Sequence, residues 1–340
     1  MRTSASRDGL VVAVTGPTGE IGRSVVASLE RTREVGRILG MARRPFDPES
    51  EGWHKTAYRR GDILDRRRVA ALVEEADVVV HLAFMIMGSL QQTRRVNLDG
   101  SRYVFEAAAA ANVKRLVYTS SVAAYGFAPG RRLPLTEDQP TLGSERFYYS
   151  AQKAEVEETL ADTLYKSSTK AWVLRPCIVA GPRAPLLVDS LPFATASGGV
   201  VGRARSLLGA LPGVRPVLPD PGTPFQLVHH DDVASAIRAA VLGRGTPGPY
   251  NIAGPGELSV KTLARELGWY SVPVPESALE VTTGLVRRLG FLPAKAQWLN
   301  AFAEPVVMDT GRARRELRWR PKYDAITTLH ETIATARGGQ

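Results

Sequence analysis

The stretch TGPTGEIG (Thr15–Gly22) directly follows the apolar run LVVAV and places glycines at positions 16, 19 and 22. Where a buried strand turns into a helix, the first glycine of such a series permits a tight turn. The second lets the backbone approach a pyrophosphate, and the third lets the helix pack closely against the strand. An ordinary structural turn is the alternative explanation of this spacing. Its position after the first apolar run favours a dinucleotide site, with the phosphates at the helix N-terminus.

Strand and helix patterns alternate through the first half of the chain. Short apolar runs predict strands at residues 10–14, 37–42, 77–83, 114–121 and 170–176. Helical patterns lie between them, near residues 21–32, 66–75, 94–111 and 148–166. This alternation indicates right-handed crossovers, and strands that are apolar on both faces are typical of a parallel sheet covered on both sides. We therefore predict an α/β fold: a Rossmann-type, doubly wound parallel sheet with helices on both faces and a smaller C-terminal substrate lobe.

The composition changes after Arg175, where residues 181–225 become rich in proline, glycine and leucine. Residues 226–254 then resume the strand and helix pattern, with Asp231 or Asp232 as the predicted N-cap of a helix. The predicted division of the chain is a disordered N-terminus at 1–8, a dinucleotide-binding domain at 9–176, and mainly a substrate-binding lobe at 177–340. Within that lobe, the segments around 226–254 are expected to return to the Rossmann core.

The chain has 340 residues and a net charge of +10, and its arginines are spread along the sequence. Because no basic stretch is interleaved with aromatic residues, we interpret this charge as a solvated arginine-rich surface rather than a nucleic-acid site. The apolar runs are too short to span a bilayer, and no secretory signal pattern precedes the glycine motif. A single cysteine, Cys177, excludes an internal disulfide framework. We expect a cytoplasmic protein that binds a small-molecule substrate and neither nucleic acid nor membranes.

The end of the second strand decides which nicotinamide cofactor a Rossmann fold prefers. A carboxylate there accepts hydrogen bonds from the ribose 2′-hydroxyl, whereas an arginine suits a 2′-phosphate. The sequence GMARRP (residues 40–45) contains no carboxylate and offers Arg43 and Arg44. An ordinary pair of surface arginines is the alternative explanation. The pattern favours NADP as the cofactor, with NAD as the other candidate.

Two hydroxyl-rich clusters follow, YTSSVAAYG (residues 118–126) at a strand end and YYSAQK (residues 148–153) at a helix start. Tyr149 and Lys153 are four residues apart, so they share one helical face. Reduction of a ketone needs a hydride and a proton, and a tyrosine hydroxyl can supply that proton when a neighbouring ammonium stabilises its phenolate. A serine hydroxyl, that of Ser121, can polarise the substrate oxygen. We therefore predict that these three residues are catalytic and that Lys153 lowers the pKa of Tyr149.

In the order and spacing of its motifs the sequence resembles the extended short-chain dehydrogenase/reductase family, which includes NAD-dependent epimerases and dehydratases. The further motifs that carry the resemblance are GDILD (61–65), HLA (81–83), VNLDG (96–100), LRPCIVAGP (174–182), VHHDDVA (228–234), YNIAG (250–254) and LRWRPKY (317–323). The resemblance implies an NAD(P)-dependent oxidoreductase, and a homodimer is an expectation from the family. It also implies that Asn97 supports the active site and joins a proton relay, for which a simple helix or turn hydrogen bond is the alternative.

The same resemblance implies the residues that contact the two ligands. Contacts to the cofactor are implied for Gly16, Thr18, Gly19, Glu20, Ile21, Gly22, Arg43, Arg44, Asp62, Ile63, Leu82, Ala83, Tyr149, Lys153, Pro176 and Ile178. Contacts to the substrate are implied for Met85, Ser121, Val122 and Phe225. No metal site is predicted, because His229 and His230 directly precede the predicted N-cap pair and are interpreted as structural.

Departures from the family's patterns distinguish among its reactions. Nucleotide-sugar dehydratases carry an Asp-Glu pair where this chain has Val122 and Ala123, which cannot move protons. Nucleotide-sugar epimerases usually have an asparagine and an arginine at the positions of Ile178 and Phe225, and the loss of these phosphate contacts favours a less polar substrate. The leading hypothesis is an NADP(H)-dependent carbonyl reductase or alcohol dehydrogenase. The alternatives are a nucleotide-sugar epimerase with tightly bound NAD and a catalytically silent cofactor-sensing protein.

Overall fold

The computed structural model describes residues 9–144, 147–184, 215–274 and 304–338, and a parallel sheet organises them. The strands are β1 (Leu10–Thr15), β2 (Val35–Ala42), β3 (Thr56–Arg60), β4 (Val78–His81), β5 (Arg115–Thr119), β6 (Lys170–Pro176), β7 (Ile178–Ala180), β8 (Val217–Asp220), β9 (Leu227–His229), β10 (Gly248–Ile252) and β11 (Tyr270–Pro273). Seven of them form one sheet in the order β10-β6-β5-β4-β1-β2-β3. This topology confirms the predicted Rossmann-type sheet. Residues 1–8, predicted to be disordered, lie outside the described residues.

Helices connect the strands and cover both faces of the sheet. They are α1 (Glu20–Glu30), α2 (Arg66–Val73), α3 (Leu90–Arg94), α4 (Gly100–Ala110), α5 (Tyr148–Leu164), α6 (His230–Val241), α7 (Val260–Leu267), α8 (Gly311–Glu316) and α9 (Ala325–Gly338). Two short 3₁₀ helices, Pro48–Glu51 and Val122–Tyr125, and a π-helical turn, Arg95–Asp99, complete the regular structure of the described residues. None of the helices in the described part of the chain is both long enough and apolar enough to span a membrane.

Successive side chains of the central strands enter different hydrophobic cores. Val12 and Val14 of β1 pack into the core that contains α1 and α6. Val11 and Ala13 point to the opposite face and pack with α2, α4 and α5. Because side chains alternate along a strand, this pattern requires burial on both faces, as the apolar runs predicted. A third core joins β7, β9, α7 and α9 in the C-terminal part of the chain.

Two elements differ from the sequence pattern. The strand β3 was not predicted, because its residues TAYRR are largely polar and lie half-buried at the edge of the sheet. The single helix predicted at residues 94–111 is interrupted by the π-helical turn, which separates α3 from α4. Asn97 lies in that turn and uses its side chain to bind a neighbouring loop, so the irregular turn coincides with a contact near the site described below.

The predicted N-cap of α6 is wrong. His229 is the N-cap, and its ring accepts a hydrogen bond from the Asp231 amide at 3.2 Å. The Asp232 carboxylate instead accepts hydrogen bonds from the amides of Lys322 and Tyr323, at 2.8 and 3.0 Å. The sequence pattern could not reveal this, because the partners of Asp232 lie far along the chain.

His81 is a buried histidine at the end of β4. Its Nδ1 lies 2.7 Å from the Thr15 hydroxyl and its Nε2 lies 2.9 Å from the Ser101 hydroxyl. Burial, and secondly the charge of Lys153, lower the pKa of His81 to about 3. An unfolded histidine titrates near pH ~6.5. As the pH falls below that value, the unfolded chain therefore binds a proton that the folded chain does not.

We expect this difference to remove about 3 kcal/mol of stability between about pH 6.5 and pH 4. Urea unfolding at a series of pH values measures the loss. His81→Gln, which can both donate and accept a hydrogen bond, should reduce the slope of stability against pH, whereas the exposed control His54→Gln should not. Equal slopes for the wild type and His81→Gln would contradict the expectation.

Candidate active site

The glycine motif forms the turn between β1 and α1. Gly16 has a φ of +75°, and a Cβ there would lie 2.9 Å from the Ala83 amide nitrogen. A Cβ on Gly22 would overlap the Gly16 carbonyl oxygen, so the helix is in backbone contact with the turn. Among the described residues, a Cβ on Gly19 would meet just that carbonyl, at 3.5 Å. No side chain caps the N-terminus of α1, so the turn offers an open space and a helix N-terminus that fit a pyrophosphate.

A cleft lies beside this turn, at the carboxyl ends of β1 to β4. The residues that line it are Gly16, Thr18, Gly19, Met41, Ala42, Arg43, Arg44, Gly61, Asp62, Ile63, Leu82, Ala83, Phe84, Met85 and Val96. Most of these residues were expected from the sequence to contact the cofactor or the substrate. The sequence reasoning missed Met41, Ala42, Gly61, Phe84 and Val96. Ligands of open parallel sheets bind at this edge, so the cleft is the candidate cofactor site.

Arg43 and Arg44 lie in the cleft beyond the end of β2, and both side chains are exposed. Their main chain is fixed, because the Arg43 carbonyl accepts a hydrogen bond from Arg60 Nε at 3.1 Å and the Arg44 carbonyl accepts one from the Tyr58 hydroxyl. Neither guanidinium forms an ion pair with a residue in the described ranges. Both positive charges are therefore available to an anionic group in the cleft.

The other implied cofactor contacts lie in three places. Asp62 and Ile63 follow β3, where the Asp62 carboxylate accepts a hydrogen bond from the Leu64 amide at 3.0 Å and Ile63 is buried. Glu20 and Ile21 lie in the first turn of α1. Pro176 is buried at the end of β6, and Ile178 lies in β7 against the third core, away from the residues that line the cleft.

Tyr149 lies in the first turn of α5, and only 9% of it is exposed. Its phenol hydrogen-bonds to the Ser121 hydroxyl. Ser121 also accepts a hydrogen bond from the Ala123 amide at 3.2 Å, which begins the 3₁₀ helix. Burial raises the pKa of Tyr149 above its ordinary value of 10, and the hydrogen bond from Ser121 opposes the rise. The structure therefore brings together a neutral phenol and a serine hydroxyl.

The expectation that Lys153 lowers the pKa of Tyr149 is wrong, because burial has the larger effect and raises that pKa. The Lys153 ammonium lies 5.9 Å from the centre of the Tyr149 ring. It donates hydrogen bonds to the Thr119 carbonyl at 2.9 Å and to the Tyr118 hydroxyl at 3.4 Å. Burial lowers the pKa of Lys153 to about 7, while the Glu157 carboxylate raises it. Burial disfavours the charged forms of Tyr149 and Lys153. For each side chain, the effect of burial on the pKa is larger than the effect of the neighbouring groups.

Phe84 is the principal site residue that the sequence reasoning missed. Its ring lines the cleft, and the Lys153 ammonium lies 3.8 Å from the ring centre. The same ring packs edge-on against Tyr149, with 5.5 Å between the ring centres. Phe84 therefore separates the open cleft from the Tyr149–Lys153 pair. The signal in the sequence was a large aromatic residue directly after the HLA motif, at the end of β4.

Asn97 has a structural role in this geometry. Its Oδ1 accepts a hydrogen bond from the Met85 amide at 2.7 Å, and its Nδ2 donates to the Met85 carbonyl and to Gln152 Oε1 at 2.9 and 2.8 Å. Because the amide group is already fully engaged, we assign it to holding the loop after β4 against α5. These contacts fit the alternative explanation for Asn97, a structural hydrogen bond, rather than a proton relay.

The implied substrate positions lie in different surroundings. Met85 lines the cleft, Ser121 contacts Tyr149, and Val122 is buried in the first core. Phe225 is 4% exposed and packs in the third core, so the structure does not bring it to the cleft. The apolar neighbours of Tyr149 are Ala123 and Phe147, with Phe84, Ile86, Phe127 and Tyr148 packed against them.

His229, His230 and Asp231 are close enough together to hold a metal ion, and their side chains also contact protein groups. His230 Nε2 accepts from the Arg183 amide at 3.2 Å, and its Nδ1 lies 2.8 Å from the Ser24 hydroxyl. His229 Nδ1 accepts from the Asp231 amide, and its Nε2 lies 3.2 Å from a Glu331 carboxylate oxygen. Three of the four ring nitrogens have hydrogen-bond partners, whereas the buried His229 Nε2 approaches Glu331 without forming a hydrogen bond. We interpret the cluster as a link between β9, α1 and α9.

Comparisons with known proteins agree with this geometry. The family model described as "NAD dependent epimerase/dehydratase family" matches residues 12–253. An uncharacterised protein of Sinorhizobium fredii is 24% identical over 94% of this chain and 76% of its own length. An uncharacterised protein of Mycobacterium tuberculosis is 27% identical over 96% of this chain, which spans 30% of that longer protein. Cinnamoyl-CoA reductase 2 of Arabidopsis thaliana is 29% identical over 52% of this chain and 56% of its own length.

Solved structures show the same fold. A short-chain dehydrogenase/reductase superfamily protein from Agrobacterium tumefaciens with bound NAD matches with a TM-score of 0.71 and 19% identity, over 97% of this chain and 98% of that one. UDP-glucuronic acid 4-epimerase from Bacillus cereus in complex with NAD has a TM-score of 0.72 and 16% identity, over 97% and 99% of the two chains. Because the family model covers most of the sheet and the candidate site, the chain belongs to the NAD-dependent epimerase/dehydratase family.

Proposed function

We propose that the protein is an NADP(H)-dependent oxidoreductase that interconverts a ketone and a secondary alcohol on a relatively apolar small molecule, with Tyr149 as the acid/base. The observation that carries the proposal is the contact between the Tyr149 phenol and the Ser121 hydroxyl, with the Lys153 ammonium on the same helix. None of these three residues lines the cleft, and Phe84, which does, packs against Tyr149. A proton donor, a polarising hydroxyl and a cofactor cleft are the parts that carbonyl reduction requires.

The residues of the cleft fit a nicotinamide dinucleotide. The Gly16–Gly22 turn would hold the pyrophosphate, Asp62 and Ile63 would lie on either side of the adenine, and Lys153 would hold the nicotinamide ribose. The Thr119 hydroxyl is buried beside Lys153 and has no hydrogen-bond partner in the described part of the chain, so it is available to a ligand. When bound, the cofactor would supply or accept the hydride.

Tyr149 and Ser121 would carry the proton chemistry. In the direction of reduction, Ser121 donates a hydrogen bond to the carbonyl oxygen, and Tyr149 transfers its proton to that oxygen as the alcohol forms. Because burial keeps the pKa of Tyr149 above 10, the phenol is protonated and ready to donate at neutral pH. In the direction of oxidation, Tyr149 must first lose its proton, and the positive charge of Lys153 then favours the phenolate.

The comparisons support a reductase and an epimerase to different degrees. The cinnamoyl-CoA reductases are named as reductases and are 29% identical over about half of this chain. The solved epimerases are 16% to 21% identical and support the fold alone. Within this chain, apolar side chains surround Tyr149, which favours a ketone on an apolar skeleton.

A spectrophotometric screen tests the proposed reaction. NADPH oxidation is measured with a panel of aromatic and carbocyclic ketones, and UDP-sugars serve as controls. Turnover of a ketone with consumption of NADPH supports the proposal. Tightly bound NAD after purification, with conversion of a UDP-sugar and no need for added cofactor, would replace it with the epimerase. Firm NADP binding without turnover of any compound would favour the cofactor-sensing protein.

The choice of NADP rests on Arg43 and Arg44, and their substitution tests it. A hydrogen bond to a charged group contributes about 1.5–3 kcal/mol, so each Arg→Ala change should raise the Kd for NADPH on the order of 10- to 100-fold. The Kd for NADH should stay nearly constant. Fluorescence titration of both cofactors measures the effect. The exposed Arg33, which lies before β2 at the opposite end of that strand, gives the matched control Arg33→Ala. Wild-type protein that binds NADH as tightly as NADPH would contradict the assignment.

A further inference from the structure

Lys153 and Glu157 lie one helical turn apart on α5 and both contact the carboxyl end of β5. The Lys153 ammonium donates to the Tyr118 hydroxyl at 3.4 Å and to the Thr119 carbonyl at 2.9 Å. The next residue, Ser120, donates its hydroxyl to Glu157 Oε1 at 2.5 Å. Residues 118–120 therefore bind the cation and the anion of the same helix.

Glu157 is itself fixed from the opposite side. The Arg175 guanidinium binds its carboxylate with Nη2 at 2.6 Å and Nε at 3.0 Å, and the two side chains are only 7% and 10% exposed. The third guanidinium nitrogen of Arg175, Nη1, donates to the Tyr125 hydroxyl at 2.8 Å. Buried ion pairs with two such hydrogen bonds are rigid, so the carboxylate has a fixed position one helical turn beyond Lys153.

We infer that Tyr118, Ser120 and Glu157 are positioning residues that hold the Lys153 ammonium in its charged form and in its orientation for the reaction. This inference deepens the proposed function and rests on it for its catalytic consequence. Tyr118 and the Thr119 carbonyl fix two of the three N–H groups of the ammonium, and the ring of Phe84 faces it from the cleft. The Glu157 carboxylate, one helical turn along α5 and held by the Ser120 hydroxyl, supplies the negative charge.

The other charged and titratable groups around Lys153 do not replace Glu157. His81 on β4 is neutral at physiological pH, and Tyr118 on β5 and Tyr149 on α5 are neutral phenols. Arg175 on β6 is a cation whose charge is directed at Glu157. The carboxylate that stabilises the charged Lys153 in these surroundings is therefore that of Glu157.

The test measures the protonation of Lys153 directly, in the protein without substrate. The chain has eight lysines, so an NMR titration of the lysine side-chain ¹³Cε and ¹⁵Nζ resonances can follow each one, and Lys153→Met identifies the signal. In Glu157→Gln we expect the pKa of Lys153 to fall by about one. Tyr118→Phe and Ser120→Ala should lower it by less. Glu158→Gln, which changes the exposed neighbour on the same helix, should leave it unchanged.

Two further measurements keep the test decisive. Glu157→Gln leaves Arg175 without its carboxylate and can reduce stability, whereas Tyr118→Phe and Ser120→Ala keep the ion pair. If Glu157→Gln does not fold, these two variants decide. With an active substrate, the alkaline limb of kcat/KM should move to lower pH in the same variants. An unchanged Lys153 titration in all folded variants overturns the inference. Absence of turnover with any ketone overturns the proposed function and leaves the NMR result to decide this inference.

Discussion

Tyr149→Phe should reduce kcat for ketone reduction on the order of 10²- to 10⁴-fold, the usual contribution of a positioned acid. The change removes the one hydroxyl that hydrogen-bonds to Ser121 from the neighbouring helix. The ring keeps its packing against Phe84 and Phe147, so the site keeps its shape. The Kd for NADPH should change by less than about threefold, because less than ~1 kcal/mol of cofactor binding depends on this hydroxyl.

The adjacent tyrosine provides the matched control. Tyr148 also carries a phenol at the start of α5, but its hydroxyl donates to the Ile86 carbonyl at 2.7 Å. Tyr148→Phe should therefore retain most of the activity. Steady-state kinetics, NADPH titration and thermal unfolding of both variants distinguish loss of the acid from loss of the fold. Turnover of Tyr149→Phe near that of the wild type would refute Tyr149 as the acid.

The parallel sheet was predictable because its strands are buried on both faces. A strand such as Val11–Val14 must be apolar at every position when α1 and α6 cover one side and α2, α4 and α5 cover the other. The edge strand β3 has no such requirement, and its polar residues carried no signal. The boundaries of local elements were therefore predictable where burial dictated the residue type and unpredictable where it did not.

The candidate site was predictable where its members are close in sequence or share a motif. Tyr149 and Lys153 lie one helical turn apart, and the glycine turn has a fixed spacing. The contacts that decide their charge come from elsewhere: Phe84 from the loop after β4, Tyr118 from β5, and Arg175, through Glu157, from β6. The sequence reasoning therefore assigned the roles but missed the net effect of burial on the pKa of Tyr149.

The Gly19→Ala and Gly22→Ala variants should separate binding from folding within the same turn. At Gly22 a Cβ would overlap the Gly16 carbonyl oxygen and lie 2.7 Å from the Pro17 carbonyl carbon, and neither backbone atom can move without shifting α1. Such overpacking costs about 1–3 kcal/mol or more, and at ~2–4 °C per kcal/mol the melting temperature should fall by roughly 5–10 °C.

At Gly19 the added Cβ would be in ordinary contact with the Gly16 carbonyl oxygen, at 3.5 Å, so the melting temperature should stay close to that of the wild type. The methyl group would nevertheless occupy the space beside the N-terminus of α1 where a pyrophosphate would lie. A steric cost of up to about 3 kcal/mol raises the Kd for NADPH on the order of 100-fold. Calorimetric unfolding and cofactor titration of the two variants check both outcomes. If the folded Gly19→Ala protein bound NADPH as tightly as the wild type, the dinucleotide would have to bind somewhere other than this turn. The hydride would then not be delivered beside Tyr149, and the proposed proton transfer from Tyr149 would lose its partner reaction.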